Sequence, residues 1–263
     1  MRTCFFDQDG PFFFHKADVI SRVNSMRRSV RMAAAAVIAA TAWACTEVSS
    51  PGNDALAGCE TPGTSGAVTH DPILFVHGYA GNGANWQDMK ARFLADGWQP
   101  NELYSCNYSF TASNAVSASE IGEQVDAIMQ LTGASRVDIV AFSIGSVSSR
   151  YYMKNLGGLS KIDAWVSLAG PNHGTDAVEI NSCSFTPCRE IAPGSAFLAD
   201  LNAGDETPGL ARYATWRSPC DTTINPDESV ILLGATNSTT ACIGHLQMLT
   251  DPNVYAQVRG FVD

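Results

Sequence analysis

The chain has 263 residues, of which 45% are hydrophobic and 16% charged, so it has enough apolar residues for a large core and lacks the composition of a disordered chain. The residues after Cys45 carry 10 basic and 23 acidic side chains, a balance that argues against nonspecific nucleic-acid binding. It favours an exported protein that acts on neutral substrates.

The first 45 residues predict a leader for secretion. A basic region at positions 27–31 precedes an alanine-rich apolar run over 32–44, which is too short for a permanent membrane span and ends in an A-x-A cleavage pattern. Cys45 follows directly, so lipid anchoring at Cys45 stays open as an alternative to release. We therefore expect a leader over 1–45 and a single catalytic domain over 46–263.

Short apolar runs alternate with amphipathic segments after residue 70. The first strand is expected over 73–76 and ends in a glycine-rich turn over 77–83, where backbone N–H groups can point into open space. Strands alternating with helices predict an α/β fold with a mostly parallel sheet and helices on both faces. Further strands are predicted at 103–108, 137–141, 162–169, 211–218 and 237–243; helices at 85–96, 113–132, 144–153, 195–201 and from Pro252; a loop at 59–69.

The stretch Val137–Gly145 carries a buried strand into a helix through a tight turn at Ser143. Ala141 and Gly145 flank this serine two residues to either side, which matches a relaxed nucleophile elbow, small-x-Ser-x-Gly. The flanking residues must be small because the strand and helix pass closely at the turn. The helix N-terminus would stabilise negative charge that develops near the hydroxyl. From this motif alone, a chance serine in a turn is an equal alternative.

Three residues with the chemistry of a catalytic triad follow predicted strands. Ser143, Asp221 and His245 would all lie at the carboxyl edge of the sheet, in the chain order of α/β-hydrolases. His245 would accept the proton of Ser143, and Asp221 would orient the imidazole. The backbone N–H groups of Tyr79 and Ile144 would form the oxyanion hole.

Other histidines and aspartates compete for these roles. His77 is expected to be structural and to bond within its own turn, whereas His173, in a loop at the sheet edge, is a rival base. Asp227 is a rival acid close to Asp221. Asp138 and Asp163 are expected to be solvated or capping groups.

Taken together, these motifs resemble the class 2 lipases, small secreted bacterial triacylglycerol lipases of the α/β-hydrolase superfamily. The resemblance implies a minimal α/β-hydrolase, and no cofactor or metal is expected. Helices and strands account for most of the body, so little chain is left for a large lid. The family usually has histidine where this chain has Phe142. We expect Phe142 not to touch the proposed chemistry directly, and to alter either the pocket or the packing behind the elbow. The matching stretches are Ile73–Tyr79, Ala141–Gly145, Ser218–Asp221 and Gly244–His245, with similar stretches at 170–175 and 193–195.

The function expected from these features is hydrolysis of carboxylic esters by a secreted lipase or esterase. A polyester depolymerase or an acyltransferase could use the same triad, and an inactive protein that binds lipid or polymer is the alternative outside enzymes. The expected partners are an ester or lipid substrate, with no nucleic acid and no stable membrane span, and the chain is expected to be a monomer. The only segment that could cover the site is 181–209.

Six cysteines follow the leader. An even number behind an export signal predicts disulfides, with free buried thiols as the alternative. Cys220 and Cys242 flank the candidate acid and base, whose approach would bring the two cysteines within bonding distance. The expected pairs are Cys220–Cys242, Cys183–Cys188 as a local clip and, by exclusion, Cys59–Cys106.

Overall fold

The computed structural model describes residues 55–60, 67–177, 180 and 182–263. The predicted leader over 1–45, with Cys45, lies outside the described residues, as does Asn181 at the start of the candidate cover. Within the described part of the chain, no helix is long and apolar enough to cross a membrane.

In the described part of the chain, seven strands form one sheet in the spatial order β1-β3-β2-β4-β5-β6-β7. All neighbouring strands are parallel except β1 and β3, which are antiparallel. The mostly parallel sheet predicted from the sequence is therefore confirmed. The strands are β1 (Cys59–Glu60), β2 (Ile73–Val76), β3 (Leu103–Cys106), β4 (Val137–Phe142), β5 (Ile162–Leu168), β6 (Arg212–Arg217) and β7 (Thr236–Thr239).

Six α-helices connect or cover these strands in the described residues. Two of the long helices begin at a side-chain cap: Ser113 caps the second helix through the N–H of Val116, and Asp251 caps the last through the N–H groups of Asn253 and Val254. The helices are α1 (Gln87–Ala95), α2 (Asn114–Thr132), α3 (Ile144–Asn155), α4 (Thr186–Glu190), α5 (Ala196–Asn202) and α6 (Pro252–Val262). Short 3-10 helices span Gly83–Trp86, Pro100–Glu102, Gly158–Ser160, Asp227–Val230 and His245–Leu249.

The sheet buries both of its faces. Along β2, Ile73 and Phe75 belong to one apolar cluster, whereas Leu74 and Val76 belong to another, as the alternation of side chains along a strand requires. Helices α1 and α6 contribute to the first cluster, and α2 and α3 to the second. Helices therefore cover both faces, as predicted.

The predicted loop over 59–69 contains a strand that the sequence reading missed. Cys59 pairs with Cys106 across the antiparallel β1–β3 register, and a disulfide joins the same two residues. A two-residue strand is too short to show a period-two pattern, so hydrophobic periodicity could not reveal it.

The expectation that Asp138 is solvated is wrong. Its side chain is buried, and Oδ1 accepts a hydrogen bond of 2.8 Å from the N–H of Ala164. Burial, with the nearby carboxylates of Asp71 and Asp163, raises the pKa of Asp138 well above its usual value. Asp163 remains partly exposed and pairs with two arginines, Arg136 and Arg212.

The last strand is shorter than predicted. The ladder along β6 ends with the N–H of Thr240 donating to the carbonyl of Arg217, and the chain then leaves the sheet edge. Cys242 therefore lies beyond β7 and not within it, because polar contacts with Ser218 replace strand pairing from Ala241 onward. The disulfides are Cys59–Cys106, Cys183–Cys188 and Cys220–Cys242, the same pairs that the sequence analysis predicts.

Candidate active site

Ser143 occupies a strained turn between β4 and α3. Its φ of 54° and ψ of −132° lie where residues other than glycine are rare. The backbone N–H of Ser143 donates to the carbonyl of Leu168, at 2.9 Å, which ties the turn to β5. The side chain is therefore presented above the sheet at the N-terminus of α3, as an elbow requires.

The turn after β2 lies directly against this elbow. A Cβ atom on Gly145 would lie 2.4 Å from the carbonyl oxygen of His77, and one on Gly78 would lie 3.0 Å from the Cβ of Ser143. The first distance leaves no space for a side chain on Gly145, and the second makes any side chain on Gly78 a tight fit. The close approach explains why Gly145, two residues after the serine, is small. It also places Tyr79 beside the elbow.

His245 and Asp221 form a hydrogen-bonded pair. The Nδ1 atom of the imidazole lies 2.7 Å from Oδ2 of the carboxylate. The other oxygen, Oδ1, accepts the backbone N–H groups of Thr223 and Ile224, at 2.8 and 3.1 Å. With the side chain of Asp221 only 2% exposed, three hydrogen bonds hold the carboxylate in one orientation.

A cavity of about 200 Å³ brings the candidate nucleophile and base together. Ser143 and His245 both line it, and so does Tyr79 from the neighbouring turn. A concave, largely apolar site with a few convergent polar groups is typical of small-molecule binding. The remaining lining residues are Phe142, Ile180, Cys183, Thr223 and Leu246.

The structure corrects the expectation that Phe142 does not touch the chemistry. Its ring packs against the imidazole of His245, with the ring centroids 4.6 Å apart, and it forms part of the cavity wall. The same ring lies against Gly78, because a Cβ there would come 3.1 Å from Phe142 Cδ1. Phe142 is buried and belongs to the apolar cluster of Ile73 and Phe75, so its ring contributes both to the core and to the cavity wall.

The rival residues have other partners. Nδ1 of His77 bonds to the carbonyl of Gly78 at 2.8 Å within a buried turn, and burial lowers the pKa of His77. His173 is exposed and pairs with Glu206, at 2.8 Å. Asp227 forms an ion pair with Arg217. Of these candidate residues, His245 lines the cavity of Ser143, and Asp221 is its hydrogen-bond partner.

The segments that carry the acid and the base are fastened to each other. The disulfide Cys220–Cys242 joins them, with a Cα–Cα distance of 5.0 Å. Ser218 adds a buried hydroxyl that donates to the carbonyl of Ile243, at 2.6 Å, and accepts the N–H of the same residue, at 3.1 Å. Ser218 lies within a stretch that the sequence analysis singled out, but no local pattern indicated this contact.

A cluster of three carboxylates lies away from this cavity. Asp71, Asp138 and Asp163 have oxygen atoms within 4.8 Å of one another. Asp138 is the second residue of β4, at the opposite end of that strand from Ser143, and Arg136 and Arg212 neutralise Asp163. The cluster is therefore no part of the candidate active site.

Comparison with solved structures places the fold among α/β-hydrolases. A lipase of Bacillus licheniformis, BlEst2 in its mature form, superposes with a TM-score of 0.67 at 15% identity, over 78% of this chain and 97% of that one. Lipase B of Aspergillus fumigatus gives a TM-score of 0.66 at 15% identity over 78% of this chain, which spans 56% of that lipase. A thermophilic esterase of Thermogutta terrifontis gives 0.53 at 12% identity, over 74% and 90% of the two chains.

The fold and the arrangement of the site define an α/β-hydrolase of the lipase and esterase type. A family model described as lipase (class 2) matches residues 70–249, which is more than half of the chain. The chain therefore belongs to the class 2 lipase family. Both the resemblance inferred from the motifs and the prediction of a serine hydrolase that acts on carboxylic esters are confirmed.

Proposed function

We propose that this protein is a secreted lipase or esterase that hydrolyses carboxylic esters through a triad of Ser143, His245 and Asp221. The observation that carries the proposal is the hydrogen bond of 2.7 Å between His245 and Asp221, at a cavity that also contains the strained Ser143. Family membership supports the ester substrate.

In the first half of the reaction, His245 takes the proton of Ser143 as the hydroxyl oxygen attacks the ester carbonyl. The Nδ1 atom of the imidazole faces Asp221, so the other ring nitrogen is left to act as the base. Asp221 stabilises the imidazolium that forms. The protonated His245 then donates its proton to the departing alcohol, and Ser143 is left acylated.

In the second half, water replaces the alcohol. His245 removes a proton from the water molecule as its oxygen attacks the acyl carbonyl. The bond between the acyl carbon and the Ser143 oxygen then breaks, His245 returns the proton to that oxygen, and the acid is released. At both stages the carbonyl oxygen carries negative charge, and we assign its stabilisation to the backbone N–H groups of Ile144 and Tyr79. The contact between Gly78 and the elbow supports this pairing because it keeps the two segments adjacent.

The cavity and the disulfides support a substrate class and a location. Beyond the serine and histidine, Phe142, Ile180 and Leu246 offer apolar surface suited to an acyl chain. Three disulfides are typical of proteins that function in an oxidising, extracellular environment. A signal within residues 1–45 would account for export.

The proposal is tested by single substitutions assayed on a short-chain ester. Ser143→Ala should lower hydrolysis by about 10⁴-fold or more while the protein remains folded, because a triad member is lost. His245→Ala should have a similar effect, whereas His173→Ala should retain most of the activity. Retention of more than a few per cent of activity in Ser143→Ala, or the reverse order of the two histidine variants, would contradict the assignment.

A further inference from the structure

We propose that Thr175 is a positioning residue for the acid of this triad. The inference rests on the proposed function, because it concerns how Asp221 is held against His245. Thr175 follows β5 in a buried loop, and its side chain is inaccessible to solvent. It is not among the residues that line the catalytic cavity, so any effect on the reaction must act through other residues.

The hydroxyl of Thr175 makes complementary contacts with the loop after Asp221. Oγ1 donates to the carbonyl of Thr223 at 2.8 Å and accepts the backbone N–H of Asn225 at 3.0 Å. A hydroxyl has one proton to donate and lone pairs to accept, so a single side chain can fulfil both roles. The backbone of Thr175 is itself held, because its N–H donates to the carbonyl of Ile191 at 3.0 Å.

One peptide group connects Thr175 to the carboxylate of Asp221. The carbonyl of Thr223 and the N–H of Ile224 belong to the same planar peptide unit and point in opposite directions. The carbonyl accepts from Thr175, while the N–H donates to Oδ1 of Asp221, at 3.1 Å. Because the unit is rigid, fixing one side of it fixes the other.

A continuous chain of hydrogen bonds therefore runs from Thr175 to the proposed base. It passes through the peptide of Thr223 and Ile224 to one oxygen of Asp221, and the other oxygen bonds to His245. Hydrogen bonds in such a chain polarise and strengthen one another. Loss of the hydroxyl would loosen the peptide and allow the carboxylate to rotate away from the imidazole.

Other contacts would keep this loop folded without the hydroxyl. The N–H of Asp176 donates to the carbonyl of Asn225 at 2.9 Å, and the Asn225 amide donates to the Asp176 carboxylate at 2.5 Å. These bonds fix the loop at Asn225, beyond the peptide that contacts Asp221. A variant without the hydroxyl should therefore retain its fold and lose only the alignment of the acid.

The test compares Thr175→Val, which removes the hydroxyl at nearly constant shape, with Thr175→Ser, which keeps it. Thr215→Val is the matched control, because Thr215 is equally buried and its hydroxyl bonds to Asn237 at 2.7 Å, away from the cavity. We expect Thr175→Val to lower kcat by about 10- to 100-fold with little change in KM, the scale of a small misplacement of a catalytic group. Thr175→Ser and Thr215→Val should stay within about threefold of the wild type.

Proton NMR of the imidazole N–H that faces Asp221 gives a second readout. Its resonance should broaden or disappear in Thr175→Val and persist in Thr175→Ser and Thr215→Val. If Thr175→Val does not fold, Thr175→Ala is expected to show the same loss of kcat.

Two results would overturn the inference while the proposed function stands. One is a Thr175→Val variant with wild-type kcat and an unchanged resonance. The other is an equal loss of kcat in Thr175→Val and Thr215→Val, which would assign both threonines a structural role only. A wild-type protein that hydrolyses no ester would instead overturn the proposed function, and the inference with it.

Discussion

The two halves of the candidate site are held together in different ways. On the nucleophile side, the backbone of the elbow lies against the turn after β2 with no space for a methyl group on Gly145. On the acid–base side, the segments around Asp221 and His245 are joined by the disulfide Cys220–Cys242 and by the hydroxyl of Ser218. The nucleophile side is held by close backbone packing, which requires glycine in place of larger residues. The acid–base side is held by bonds between side chains and from a side chain to the backbone.

This difference determines how each half responds to change. Adding atoms where the elbow meets the turn after β2 forces backbone segments apart, because no space is left between them. Removing atoms from the acid–base side releases loops that no regular ladder holds, since β7 ends before the segment that leads to His245. We therefore expect substitutions that add atoms to disturb the packing of the nucleophile side, and substitutions that remove atoms to disturb the acid–base side.

Among substitutions outside the proposed triad, the largest effect is expected from a single added methyl group on the nucleophile side. In Gly145→Ala, the new Cβ would meet the carbonyl of His77 at 2.4 Å and push the turn carrying Tyr79 away from Ser143. We expect ester hydrolysis to fall by about 100- to 1,000-fold, as when an oxyanion donor is lost.

The control for that variant is Gly260→Ala in α6, where a Cβ would meet nothing within 4 Å. Alanine should stabilise this helix by up to about 1 kcal/mol and leave activity unchanged. Kinetic assays and thermal unfolding of both variants provide the comparison. An active Gly145→Ala enzyme would show that the close approach of the two segments is not needed.

A smaller effect is expected from removing the disulfide on the acid–base side. Cys220→Ser with Cys242→Ser opens a link between residues 22 apart, for which chain entropy predicts a loss of about 3 kcal/mol. At temperatures where the variant is still folded, activity should be about tenfold lower than in the wild type, because a small displacement of Asp221 relative to His245 slows the reaction.

The matched control removes Cys183–Cys188, which closes a separation of 5 residues, with an expected loss of about 2 kcal/mol. Denaturant unfolding gives the stability of each variant, and kcat reports whether the acid and the base remain aligned. If both double variants lost stability but neither lost kcat, the bond at Cys220 would contribute to stability alone.

The smallest effect at neutral pH concerns Glu102, which anchors the chain just before β2. Burial by itself would raise the pKa of Glu102, but hydrogen bonds from the N–H groups of Gln99, His70 and Thr69 and from the His70 ring outweigh it and lower the pKa to about 2 from 4.5. A lowered pKa in the folded state means that the carboxylate stabilises the fold above pH 4.5 and loses this contribution as the pH falls toward 2.

We expect Glu102→Gln to weaken the dependence of thermal stability on pH in this window and to leave activity at pH 7 unchanged. Melting temperatures of the wild type and the variant between pH 7 and pH 2.5 test this expectation. The nucleophile side should then be the first to loosen in acid, since β2 leads into the turn of Tyr79. Identical pH dependence in the two proteins would remove Glu102 as the anchor.

The difference between the nucleophile side and the acid–base side also bears on what could be predicted from the sequence. The elbow at Ser143 shows in the sequence because its steric requirement falls on neighbouring residues, Ala141 and Gly145. The sequence also predicts the roles of His245 and Asp221, because each follows a predicted strand in the chain order of α/β-hydrolases. These are also the residues that the structure brings together at the cavity or in the hydrogen-bonded pair.

Contacts between residues far apart in the chain could not be predicted. Phe142 packs against His245, 103 positions away, and Thr175 bonds to Thr223, 48 positions away. Strand periodicity assigns a residue to one face but does not say which side chain it meets there. The burial of Asp138 escaped prediction for the same reason, since its partner is a backbone N–H of the next strand.

The measurement that tests the account most directly is labelling by a fluorophosphonate, followed by peptide mapping. If Ser143 is the activated nucleophile, one equivalent of reagent should attach to Ser143, with ester hydrolysis lost in proportion. Labelling should be nearly abolished in His245→Ala and should persist in His173→Ala. A label on a different serine, or an unlabelled protein that still hydrolyses esters, would contradict the triad.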